Sequence, residues 1–283
     1  MLGLGGDTDA ALRGKKLRAL RRFLMLHGAA RSWLWLLFEA PVHPALLALS
    51  ATALCVCLVL SLSRRGEYLA PRLALPVLLL QLWWTFPITD NHFFIELLAV
   101  ALLCLADRDS EADEVLVLQS LQWLTALVLF QTGLQKVLYG HYFGGEFLAF
   151  MVGQGDRFAD LFALLVPASE VARLAGIDPL RTGAGPFRVE SVGLILVSNL
   201  VYLTELVLPV ALLLRRTRLA ASLVAIVFVV TLQLAAREVG FALLFANLLL
   251  LFPERDWGRR LLPSVAGLYL YAIGAAAGWL PGG

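Results

Sequence analysis

Apolar residues run along this chain in long continuous stretches of Leu, Val and Ala, interrupted by short clusters of charge. They do not alternate with polar residues as a half-buried strand would. Continuous runs approaching the roughly 20 residues needed to cross a bilayer predict transmembrane α-helices. Lipid admits only helices and closed barrels, because no water is present to satisfy the backbone. The expected fold is therefore an all-α polytopic bundle of about nine spans, near 23–40, 43–62, 73–88, 92–106, 115–138, 190–214, 218–236, 239–252 and 262–280. The third, fourth and eighth are short, and the first carries His27 and Arg31. A cleaved signal peptide is the rival reading of that first run. Arg31 interrupts its apolar core and no small-residue cleavage site stands out, so it is kept as a span.

Charge then orients the bundle. All but seven of the 23 basic residues fall in segments that nine alternating spans place on one side. The exceptions are Arg31, Lys136, Arg157, Arg173, Arg181, Arg188 and Arg237. Basic loops mark the cytoplasmic face, so the N-terminus is expected inside. The expected organisation is a basic cytoplasmic tail, 1–22, and a transmembrane domain, 23–280. Within that domain, 139–189 is read as an outer segment of re-entrant or interfacial helices. Trp83, Trp84, Tyr139 and Tyr142 suit an interfacial aromatic belt at the outer level.

Composition agrees with this picture and narrows the function. The chain of 283 residues is 60% hydrophobic and 16% charged, whereas soluble domains are about half apolar and a quarter charged. A net charge of +2 is too near balance to suggest nucleic acid. Membrane lipid is the expected surrounding, and a plasma (inner) membrane the expected location. Cys55, Cys57 and Cys104 lie inside apolar runs and read as packing thiols. His27, His43, His92 and His141 have no metal-centre spacing, so no metal is expected.

Ionisable residues inside spans are costly and mark function by default. Lys136 lies near the outer end of the fifth span, and the only other lysines, Lys15 and Lys16, are in the basic tail. Lysine can lose its proton when buried and arginine cannot. Gln122, Thr125, Thr132 and Lys136 share one helical face bordered by Gly133. The plainer reading is a lysine snorkelling to the interface. Asp90, Asn91, His92 and Glu96 form a second place, where Glu96 can orient the His92 imidazole one turn away; helix capping by Asp90 or Asn91 is the plainer alternative. Glu205, with Ser198 and Tyr202 on its face, needs a partner or a proton; Arg31 is the most deeply placed positive charge, and a structural ion pair is the competing reading. Arg237 and Glu238, before Gly240, read as a polar turn or as part of an outer site.

Three of these places also carry a resemblance. The stretch TDNHFFIELLAVALLCLADRDS (89–110) resembles the vitamin K-dependent γ-carboxylase family, in which an Asn-His pair opens a membrane helix. FQTGLQKVLYGHYFGGEFL (130–148) is similar to the segment holding that family's catalytic lysine. REVGFALLFANLLLLFPERDW (237–257) resembles its late helix. Bacterial members are called HTTM proteins, and SdpB-like export factors look similar. The resemblance implies an integral membrane enzyme with Lys136 as base and His92 beside it as the second catalytic residue. Asn91 is the substrate-binding candidate the resemblance implies; Glu96, which departs from the family pattern, Glu205 and Arg237 are added from the reading of the residues themselves. It also implies a reduced, vitamin K-like quinone, or another lipid, as the molecule acted on at the outer face. The family's large lumenal domain has no counterpart here. Where the family has a histidine and an asparagine before the late helix, this chain reads Thr231-Leu232-Gln233. A non-catalytic export or immunity factor for a secreted peptide, and a membrane subunit of a quinone-linked redox complex, are the alternative functions.

Overall fold

In the computed structural model the described residues are 10–38, 43–87, 91–107, 110–154, 162, 165–178, 187–236, 238–253 and scattered positions from 267 to 274. They form helices and no strand. In chain order these are α1 (Ala10–Phe38), α2 (Pro44–Ser61), α3 (Gly66–Thr85), α4 (Asn91–Cys104), α5 (Glu111–Tyr139), α6 (Glu146–Gly153), α7 (Ala168–Ala175), α8 (Val192–Leu213), α9 (Arg218–Ala235) and α10 (Val239–Leu249). Their ends follow local chemistry. Ser110 and Ser191 cap α5 and α8 by accepting the Asp113 and Leu194 N–H groups, and Pro44 opens α2 where no backbone donor is needed. Gly140 stops α5 at φ +73°, a conformation open to glycine, with its N–H on the Lys136 carbonyl.

Side chains of the N-terminal stretch tie one end of the bundle together. Arg18 Nε donates to Glu67 at 2.8 Å, and Arg22 Nε to the Ser61 carbonyl at 3.3 Å. Arg13 pairs with Glu111, and the Lys16 ammonium donates to the carbonyls of Leu251 and Pro253. Arg72 reaches the Ala106 carbonyl, Tyr68 the Glu114 carboxylate, and Ser222 the Leu249 carbonyl. These bonds gather the starts of α1, α3, α5 and α9 with the ends of α2, α4 and α10, so successive long helices run antiparallel. They also hold residues 10–22 of α1, which are continuous with the expected first span, against the bundle. Its basic side chains find carboxylates and carbonyls on neighbouring helix ends.

Three helices, α2, α5 and α8, are long and apolar enough to cross a membrane, while α4, α10 and residues 218–232 of α9 are shorter apolar helices. The expected last span, 262–280, falls mostly outside the described residues. The main core collects side chains from α1 to α5 and α8 to α10. At the end opposite the basic cluster, within the expected 139–189 segment, a second core joins α6 and α7 to the start of α8. It is built on Leu148, Val152, Phe162, Leu174, Phe187 and Leu194. That small cap sits over the place where α5 ends.

Candidate functional site

Lys136 stands in the last turn of α5, and Glu205 in the middle of α8. The Lys136 Nζ lies 2.8 Å from Glu205 Oε1 and 2.7 Å from Oε2, so both carboxylate oxygens accept from one ammonium. The side chains are 18% and 5% exposed. The close approach depends on Gly133, one turn before Lys136. A Cβ there would stand 2.9 Å from the Glu205 Cβ and 3.1 Å from the Leu206 backbone nitrogen. Glycine at this point lets α8 lie against α5 and brings the carboxylate to the amine.

The turn after α5 closes the pair from above. The Ser198 hydroxyl donates to the Tyr142 carbonyl at 2.7 Å, and Asn199 Nδ2 donates to the Phe143 carbonyl at 3.0 Å. So held, the Tyr142 ring lies 5.3 Å from the Lys136 Nζ, a cation–π distance. Burial, with a smaller contribution from the negative Glu205, pushes the Tyr142 phenol well above its ordinary range. Beneath it lies a cavity of about 300 Å³ whose polar lining includes Thr132, Lys136, Tyr142, Glu205 and Glu238. The remaining wall is apolar and aromatic, with Phe147, Met151, Phe228, Phe241 and Phe245. That volume is at the small end for ligand sites, and an apolar body with a few converging polar groups is their usual character.

The other expected residues are distributed differently. His92 does not line this cavity; its ring packs 5.7 Å from Phe241, which does. Asn91 is the exposed first residue of α4. Gln122 and Thr125 are buried, but Gln122 bonds the Leu251 carbonyl at the basic end, so of the polar stripe only Thr132 and Lys136 reach the cavity. Asp90 and Arg237 lie outside the described residues. The ion pairs also differ from expectation. Glu205 pairs with Lys136 and not with Arg31, because α8 packs on α5. The Glu96 Oε2, on α4, accepts from Arg31 Nε at 3.0 Å. Residues not singled out as site residues beforehand complete that second cluster. Arg31 also donates to Gln81 Oε1 at 3.1 Å, Gln81 donates to Ser32, and the Arg31 guanidinium lies 4.3 Å from the Phe93 ring centre. His27 is buried, with Nδ1 3.3 Å from the Tyr269 hydroxyl. Gln81, inside an apolar run, was the available sequence signal.

Among the described residues no group of three or more His, Cys, Asp or Glu is arranged to hold a metal ion. No protein-family model, curated protein or solved structure matches the chain.

Proposed function

We propose that this chain is a nine-span integral membrane protein of the vitamin K-dependent carboxylase-like, HTTM type. Its N-terminus is cytoplasmic, and the Lys136–Glu205 pocket moves a proton to or from a quinone-like or lipid substrate at the outer face. The gathering of basic side chains at one end supports this topology through the positive-inside rule. The observation that carries the chemistry is the ammonium of Lys136 held by both oxygens of Glu205 in the wall of a largely apolar cavity.

Such a pair can supply an uncharged amine without releasing the proton from the site. A proton passing from Nζ to a Glu205 oxygen breaks an N–H bond and forms an O–H bond, with no change in net charge. Lys136 is then a neutral amine, competent to take a proton from a hydroxyl lodged beside it. A reduced quinone would supply acidic ring hydroxyls, and the aromatic wall and cavity size fit a flat ring of that kind. Phe228, Phe241 and Phe245 would hold the ring, while Thr132 and Tyr142 can orient a hydroxyl at its edge.

The test uses the full chain in lipid nanodiscs with a short-tailed reduced naphthoquinone as probe. Saturable binding that is weakened at least tenfold by Phe241→Ala, together with proton release abolished by Lys136→Met, is the expected result. Binding unaffected by both changes would remove the reading. The tight Gly133 seat favours a second reading, in which the pair is only a clamp between α5 and α8 in a non-catalytic membrane protein such as an export or immunity factor. In that case Lys136→Met with Glu205→Leu restores every measurable property.

A further inference from the structure

Glu96 is 1% exposed, and its two oxygens have unequal surroundings. Oε2 accepts from Arg31, whereas Oε1 is buried without a hydrogen-bond partner among the described residues. Oε1 lies against α1 at Gly28, where a Cβ would stand 2.8 Å from it. Next to Gly28 is His27, buried and joined through Nδ1 to the Tyr269 hydroxyl. A buried acceptor with no donor is unfavourable unless something supplies one. Here the missing donor has an obvious source in an O–H on the carboxyl itself.

We propose that Glu96 and His27 form a proton-binding centre inside the bundle, separate from the Lys136 cavity, in which Glu96 Oε1 takes up and releases the proton. The charged and titratable groups around it are His27 and Arg31 from α1, His92 from α4 itself and Tyr269 from the C-terminal segment; α3 contributes the neutral Gln81. On uptake, an O–H bond of hydronium breaks and an O–H bond forms at Glu96 Oε1, leaving water; release reverses the step. Water supplies the proton and receives it.

Arg31 permits this because it does not depend on Glu96 alone. Its guanidinium keeps the Gln81 carbonyl oxygen and the Phe93 ring, and its side chain is 20% exposed. It therefore stays solvated when Glu96 becomes neutral. Glu205 differs in having no oxygen left over, since both accept from Lys136.

Infrared difference spectroscopy on the full chain in nanodiscs, recorded across a pH series, tests the centre without reference to any substrate. A protonated-carboxyl stretch is expected in the wild type, retained in Glu205→Gln and absent from Glu96→Gln. In deuterated buffer the same band shifts down, because the proton exchanges. His27→Gln leaves Glu96 in place and is expected to move the midpoint of that band by at least half a pH unit, which guards against a Glu96 variant that fails to fold. No titrating band, a band that survives Glu96→Gln, or a midpoint unmoved by His27→Gln overturns the proposal.

Discussion

Two buried ion pairs among the described residues, Arg31–Glu96 and Lys136–Glu205, are assembled by one device and finished in different ways. In each, a glycine three residues before a cation makes room for a carboxylate from a neighbouring helix: Gly28 with Arg31 for Glu96, and Gly133 with Lys136 for Glu205. At Lys136 the carboxylate is fully used, both oxygens on a single ammonium under the Tyr142 ring. At Arg31 the cation is shared among a carboxylate, an amide and an aromatic face, and one carboxylate oxygen is left over. A compact ammonium places its whole charge on one partner, whereas a planar guanidinium spreads its donors over several. The first pair is thus closed and borders a cavity; the second is open by one acceptor.

The largest expected effect comes from breaking each pair on its cation side. Lys136→Met strands a carboxylate with neither oxygen bonded, and removing one partner of a buried pair is worth about 3–5 kcal/mol. Arg31→Met strands a group that already lacks one bond, and about 1–3 kcal/mol is expected. Reversible unfolding in mixed micelles, followed by tryptophan fluorescence, gives both values. In the double change Lys136→Met with Glu205→Leu, most of the loss returns. Equal losses for the two cations would show that the pairs are equivalent, and the contrast would be withdrawn.

The glycines come next. At Gly133 an added Cβ meets the Glu205 Cβ and the backbone of Leu206, neither of which can swing aside. Gly133→Ala therefore separates α5 from α8, at the roughly 1–3 kcal/mol typical of overpacking. At Gly28 the nearest atom is the far end of the Glu96 side chain, which can rotate away. Gly28→Ala is expected to be milder, under about 1 kcal/mol, but to loosen the Arg31–Glu96 bond. Thermal shifts of the two variants measured side by side decide the order; a larger shift for Gly28→Ala reverses the ranking of the two seats.

Much of this was legible beforehand, and the reasons are local. Continuous apolar runs announced the helices, and Lys136 announced itself as a lysine where the chain otherwise uses arginine. Gly133 was visible as a small residue beside the polar stripe. The pairing was not legible, because Lys136 and Glu205 are 69 residues apart in sequence and one chain carries no record of which helices touch. Arg31, as the most deeply placed positive charge, was therefore the partner considered for Glu205. Periodicity also overstated the Gln122-to-Lys136 stripe. A shared helical face is not a shared environment when its two ends lie four turns apart, and Gln122 is spent at the basic end.

The smallest expected effect concerns the cover of the closed pair. The Tyr142 phenol is held above its ordinary range by burial first and by the Glu205 charge second. A phenol whose native value is raised binds its proton more tightly folded than unfolded. The stability it contributes is complete below the unfolded value of about 10 and declines as pH rises beyond it. An ultraviolet phenolate titration should show Tyr142 ionising after the exposed tyrosines, and Tyr142→Phe should remove one phenolate equivalent from the late-ionising signal. Glu205→Gln should bring it part of the way down, because only the second cause is lost. If Tyr142 titrates together with the exposed tyrosines, the turn after α5 does not shield Lys136. The pair is then open to water, and the distinction between a closed site and an open one passes to the Glu96 centre alone.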